Sequence, residues 1–166
     1  MKAGITGHQD LGDAAAIAWV RKEILRALDA HAIDHGFTSL AAGADQLFAQ
    51  ALLDRGIPYT VVVPSAGYEL AFKDAAGRGE YARFLGRAER CIALEFESPG
   101  EEAYWAAGQE IVRLADLLIA VWNGAPAAGL GGTGDVVRHA RQTGRKVWHL
   151  NPVTRVAGWL HDAERR

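Results

Sequence analysis

Several things are scarce in this sequence, and each scarcity closes a route. Cysteine occurs once, so no disulfide can form within the chain, which fits a reducing compartment. Cys91 opens an apolar run and reads as a buried structural thiol rather than a nucleophile. No apolar run approaches the ~20 residues of a membrane span, and the N-terminus lacks the apolar region of a secretory signal. A cytoplasmic protein with no membrane partner is therefore expected. Excess charge is scarce too: 18 Lys and Arg face 20 Asp and Glu, for a net charge of −2. Without a basic block, nucleic acid is not expected as a partner. The closing Arg165-Arg166 reads as a solvated tail.

Familiar catalytic signatures are also missing. Gly7 and Gly12 are the only glycines of the first turn, so the G-x-G-x-x-G dinucleotide fingerprint fails. No G-x-x-x-x-G-K-S/T marks a P-loop, and no G-x-S-x-G marks a hydrolase elbow. No H-E-x-x-H or paired cysteine motif suggests zinc. His31, His35, His139, His149 and His161 fall at no metal-ligand spacing, so neither a metal nor a cofactor is expected.

Glycine, by contrast, is abundant, with 19 residues in 166 against a usual ~7%. Between the glycines, short apolar runs alternate with helical patterns. Lys2–Thr6, Phe37–Ala42, Tyr59–Val63, Cys91–Phe96, Leu117–Trp122 and Lys146–Leu150 read as strands. Helical stripes follow Asp13 (Ile17, Val20, Ile24, Leu25, Leu28) and Asp45 (Phe48, Ala51, Leu52). Another runs from Tyr104 through Ile111 to Ala115. Residues 65–90 are ambiguous, with helices over Tyr68–Ala76 and Glu80–Glu89 as one reading, and a short helix is expected after Pro152. Apolar strands alternating with helices specify an α/β fold: a three-layer Rossmann-like sandwich around a mostly parallel sheet, in one domain spanning residues 1–166.

In such sheets, ligands bind beyond the carboxyl ends of the strands. That rim holds Thr6, Gly7, His8 and Gln9 after the first strand, then Gly43 and Asp45 after the second, and Asn123 after the fifth. The most distinctive stretch is Gly131, Gly132, Thr133, Gly134 and Asp135. It follows an apolar strand and opens a helix, an arrangement that cradles anions through free backbone N–H groups. These residues form the candidate nucleotide- and phosphate-binding set. Most admit a plainer role as well. His8 donates to phosphate, acts as an acid or base, or bonds a neighbouring loop. Asp45 holds ribose or caps a helix, and Asn123 meets ligand or forms an Asx-turn. Asp135 serves the helix dipole or accepts from ribose. Trp122 reads as core, and an exposed Trp105 would mark a dimer interface.

Taken together, Thr6-Gly7-His8, Gly43-Ala44-Asp45, the run Asp116–Gly124 and Gly131–Val137 resemble the SLOG superfamily. That group joins the SMF/DprA DNA-processing proteins to the LOG phosphoribohydrolases. The resemblance implies a Rossmann-like fold, a pocket for a nucleotide or nucleotide-derived small molecule, and a homodimer. LOG enzymes carry P-G-G-x-G-T-x-x-E; here Leu130 stands for the proline, Asp135 for the threonine and Arg138 for the catalytic glutamate. Relatives that begin Thr-Gly-His often have arginine next and aspartate after the tryptophan, where this chain has Gln9 and Asn123. Ribosyl hydrolysis needs a placed carboxylate, so the leading expectation is a binding or sensor protein without an assigned catalytic residue. A nucleotide N-glycosidase or other nucleotide-processing hydrolase is the alternative. A DNA-handling module is the third class, disfavoured by the charge balance.

Overall fold

The computed structural model describes residues 1–161; Arg165-Arg166 lie outside them. Seven strands form one sheet: β1 (Lys2–Gly7), β2 (His35–Thr38), β3 (Tyr59–Val63), β4 (Arg90–Ala93), β5 (Leu117–Val121), β6 (Lys146–Asn151) and β7 (Val156–Trp159). Their spatial order is β4-β3-β2-β1-β5-β6-β7, parallel throughout except for the antiparallel β6–β7 pair. The α/β class and Rossmann-like sandwich expected from the sequence are what the chain adopts.

Five α-helices cover the sheet: α1 (Ala14–Ala30), α2 (Ala44–Asp54), α3 (Ala75–Arg87), α4 (Glu101–Leu114) and α5 (Thr133–Gln142). Strand alternation assigns the two faces. Leu117, Ile119 and Val121 of β5 pack with Val20 and Ile24 of α1, Phe48 and Leu52 of α2, and Tyr81 and Phe84 of α3. Leu118 and Ala120 pack with Ala107 and Ile111 of α4 and Val136, Val137 and Ala140 of α5. A run such as Leu117–Val121, buried along its length, is apolar because both faces are covered.

Local chemistry sets the helix ends. Asp13 caps α1, accepting from Ala16 N at 2.9 Å, and Asp74 caps α3, accepting from Gly77 N at 2.7 Å. That cap, with Tyr81 and Phe84 buried beneath, lets α3 run through Gly77 and Gly79, where the sequence suggested a break. The segment before it is only a 3-10 turn, Tyr68–Ala71. The helix expected after Pro152 is instead a turn and β7. Asn151 Oδ1 accepts from Val153 N and Thr154 N, and this closes a hairpin before a helix can start.

Two single-residue expectations change. Cys91 is exposed, because β4 is an edge strand whose side chains are largely uncovered. Trp105 is half-buried against the α4–α5 core, so the exposure that would have pointed to an interface is not found. Among the described residues, no helix is long and apolar enough to cross a membrane.

Candidate functional site

The sheet has its topological switch between β1 and β5. From β1 the chain proceeds one way to β2 and β3, while β5 and β6 lie on the other side. At the carboxyl ends of these strands opens a cleft of about 1310 Å³. All of the candidate residues except Asp135 line it: Thr6, Gly7, His8, Gln9, Gly43, Asp45, Asn123, Gly131, Gly132, Thr133 and Gly134. Residues from three separate stretches of chain therefore converge at the place where this sheet topology leaves a crevice.

The β1 end is held by its neighbours. A Cβ on Gly7 would lie 2.5 Å from Ala44 Cβ and 2.9 Å from Val121 Cβ, so glycine here lets β1 pass between α2 and β5. His8 Nε2 accepts from Asn123 N at 3.1 Å. In the neutral ring, that acceptor role leaves Nδ1 as the N–H donor. Asn123 Oδ1 in turn accepts from Ala125 N at 2.9 Å, an Asx-turn. Trp122 Nε1 donates to Ala125 O at 2.8 Å, and its ring packs against the α4–α5 core.

Asp45 does not cap α2. The N-cap is Gly43 (φ 85°, ψ −123°), with no side-chain cap bond. Asp45 instead lies in the first turn and folds back, accepting from Ala41 N at 3.3 Å. It is only 7% exposed. Burial pushes its carboxyl up from 3.8 to about 7, against the opposing pull of the Ala41 and Ser39 N–H groups and the Thr38 hydroxyl. At neutral pH such a group both donates and accepts.

The glycine stretch is folded differently from a bare cradle. The side chain of Asp135 turns back: Oδ2 accepts from Gly131 N at 3.1 Å, and Oδ1 takes Arg138 at 2.9 Å. One amide of the expected cradle is thus occupied internally, and this is why Asp135 is absent from the cleft wall. Gly132 N makes a long bond of 3.4 Å to Gly129 O. The N–H groups of Thr133 and Gly134 have no partner among the described residues, and both residues line the cleft. The glycines also admit the chain's own approach. A Cβ on Gly131 would meet Trp105 N at 2.7 Å, and one on Gly132 would meet Ala127 Cβ at 2.8 Å. Valine at Gly132 would therefore displace the 123–131 loop as well as obstruct a ligand.

Sequence reasoning missed an aromatic wall. Tyr68, Phe72 and Tyr104 line the cleft, with Tyr68 edge-on to Phe72, Tyr81 and Tyr104 at 5.5, 5.3 and 6.2 Å. Burial, helped by the Asp45 charge and the neighbouring phenols, raises the Tyr68 hydroxyl well above its usual range. Tyr104 sat on a legible apolar stripe, whereas Tyr68 fell in the ambiguous region. Among the described residues, no group of His, Cys, Asp and Glu is arranged to hold a metal.

No family model and no curated protein matches this chain. Solved structures do. DNA processing protein A (DprA) from Streptococcus pneumoniae superposes with a TM-score of 0.65 at 18% identity, over 90% of this chain and 50% of its own. DprA from Helicobacter pylori gives 0.63 at 16%, over 91% and 65%. The molybdenum cofactor binding protein of the phototrophic bacterium Rippkaea orientalis gives 0.57 at 14%, over 90% and 76%. The fold is the Rossmann-like fold that these solved structures share. The chain spans half of one DprA and less than two thirds of the other. One expectation is corrected here. The Helicobacter protein has a single-stranded DNA binding mode, so this fold is compatible with nucleic acid, and the argument from charge fails. A net charge sums the whole surface, whereas a strand touches only part of it.

Proposed function

We propose that this chain binds a nucleotide or nucleotide-derived ligand in the cleft at the β1–β5 switch. The observation that carries this reading is the start of α5. Thr133 and Gly134 present two open N–H groups at the positive end of a helix dipole. The nearby carboxylate of Asp135 is already paired with Arg138. An anionic group can settle there without facing an unopposed negative charge. The aromatic wall supplies the apolar face that a base needs, and His8 Nδ1 offers a further donor.

Thermal shift against adenosine 5′-monophosphate tests the proposal. Ligand binding to the folded state alone raises stability by RT ln(1 + [L]/Kd), roughly 2.7 kcal/mol at a hundredfold excess over Kd. Arg138→Glu leaves Asp135 unopposed at the helix start, and Arg138 is exposed, so the fold should survive. The expected result is nucleotide binding weaker by about tenfold in that variant, the scale of one charge-assisted contact. Equal affinity in wild type and variant would place the phosphate elsewhere.

The comparison with Helicobacter DprA favours a second reading, in which the ligand is a unit of a single strand of DNA. A short oligonucleotide that binds at least tenfold more tightly than the mononucleotide, with steep salt dependence, would select it. Base released from the mononucleotide on incubation would make the protein a hydrolase instead.

A further inference from the structure

The loop between β2 and α2 is unusually constrained. Leu40 is held at φ 58° although its side chain is fully buried, a backbone region that branched residues rarely enter. Such strain persists only where surrounding structure imposes it. Ser39 Oγ is buried with no hydrogen-bond partner among the described residues, and Ser39 lines the cleft. Asp45 lines the same cleft, held from behind by Ala41 N. A buried hydroxyl and a buried carboxyl lining one cleft are costly unless each finds a hydrogen-bond partner.

The charges around this pair decide what it can take. Tyr68, in the 3-10 turn, is the titratable group set against Asp45. The charges that α1 and α3 bring to α2 meet it further along: Arg21 at Asp54, Asp29 at Arg55, and Arg83 at Gln50. His8 is bonded to Asn123. Lys73 lines the same cleft, but among the described residues no cation acts on Asp45 as Arg138 acts on Asp135, so phosphate is unwelcome here and neutral donors are welcome. The two helix starts follow β2 and β5, which flank β1 on either side. Two strand spacings make roughly 10 Å, within the span of a nucleoside monophosphate.

We propose that Asp45 and Ser39 form the sugar-recognising end of the cleft, where binding a vicinal diol drives a proton from Asp45 into solvent. The ligand hydroxyls donate to the resulting carboxylate, and Ser39 Oγ completes the contact. Hydrogen bonds to the charged form favour it, and a carboxyl near 7 when the cleft is empty leaves a proton to release at neutral pH. This assignment rests on the nucleotide reading above and fixes the ligand's direction: phosphate on α5, sugar on α2.

Titration calorimetry at neutral pH, in two buffers of different ionisation enthalpy, counts the protons. The probes are adenosine 5′-monophosphate, its 2′,3′-dideoxy counterpart and inorganic phosphate. The two nucleotides carry the same phosphate, so the difference between them cancels any proton exchanged there. The nucleotide with its diol should release about half a proton more and bind about tenfold more tightly. Asp45→Asn, nearly isosteric, should abolish that difference while still binding phosphate. Equal binding of the two nucleotides, or no extra proton release, overturns this inference and leaves the α5 site standing. If none of the three probes binds the wild type, both readings fail together.

Discussion

Asp45→Asn is expected to stabilise the empty protein at alkaline pH and to flatten its stability against pH. The carboxyl stands at about 7 in the folded chain against 3.8 as a free group. The folded state therefore holds the proton more tightly than the unfolded chain. Its contribution is full below pH 4, declines as pH rises, and is gone above pH 7. The three-unit difference corresponds to about 4 kcal/mol, of which about 3 kcal/mol falls between pH 5 and pH 8. That is a large part of the ~5–15 kcal/mol that holds a typical domain together. Asparagine has no proton to lose, so urea titrations of the two proteins should diverge over this window, with the variant gaining as pH rises. The paired carboxylates Asp29, Asp54 and Glu110 are lowered, mainly by hydrogen bonds from Arg55, Gln50 and Arg113. They pull stability the other way as pH falls, but they are common to both proteins and cancel in the difference. Parallel curves would mean that Asp45 ionises like a surface acid, and the proton-linked recognition of sugar would lose its basis.

Features that depend on neighbouring residues were legible in the sequence. The run Leu117–Val121 is apolar at every position because helices cover both faces, so strand and sheet type follow from composition alone. Asp13 before an apolar stripe gave α1 its start, although Ile17 of that stripe is 40% exposed. The carboxyl-end rule then located the cleft, because it depends only on strand direction and order. What stayed hidden was where side chains turn. Asp45 and Asp135 both sit in the first turn of a helix, where an acid suits the dipole. Nothing in the spacing shows that one reaches back to Ala41 and the other to Gly131. Tyr68 escaped notice because a 3-10 turn of four residues is too short to show a period. β7 escaped because a short edge strand depends on the hairpin that Asn151 nucleates.

Glycine was the least decipherable signal, since one residue type serves two purposes, and substitution separates them. Gly43→Ala should be among the most damaging single-methyl changes available in this chain. Its φ of 85° with ψ of −123° lies where L side chains are strained, a penalty of order 1–3 kcal/mol. The added Cβ would also meet the carbonyl oxygens of Gln9 and His8, the latter at 2.6 Å. Neither can retreat cheaply, because the His8 carbonyl accepts from Ala44 N at 3.2 Å and so ties the β1 loop to α2. A loss of roughly 3 kcal/mol or more is expected, enough to lower the melting point steeply. Gly124→Ala is the matched control. Its φ is 87°, but nothing lies within 4 Å of its Cβ position, so only backbone strain applies and the cost should be about 1 kcal/mol. Melting curves of the two variants measure the gap directly. Equal losses would show that the contact between the β1 loop and α2 yields freely. In that event Thr6, His8 and Asp45 would lack the fixed relation on which a shared ligand depends.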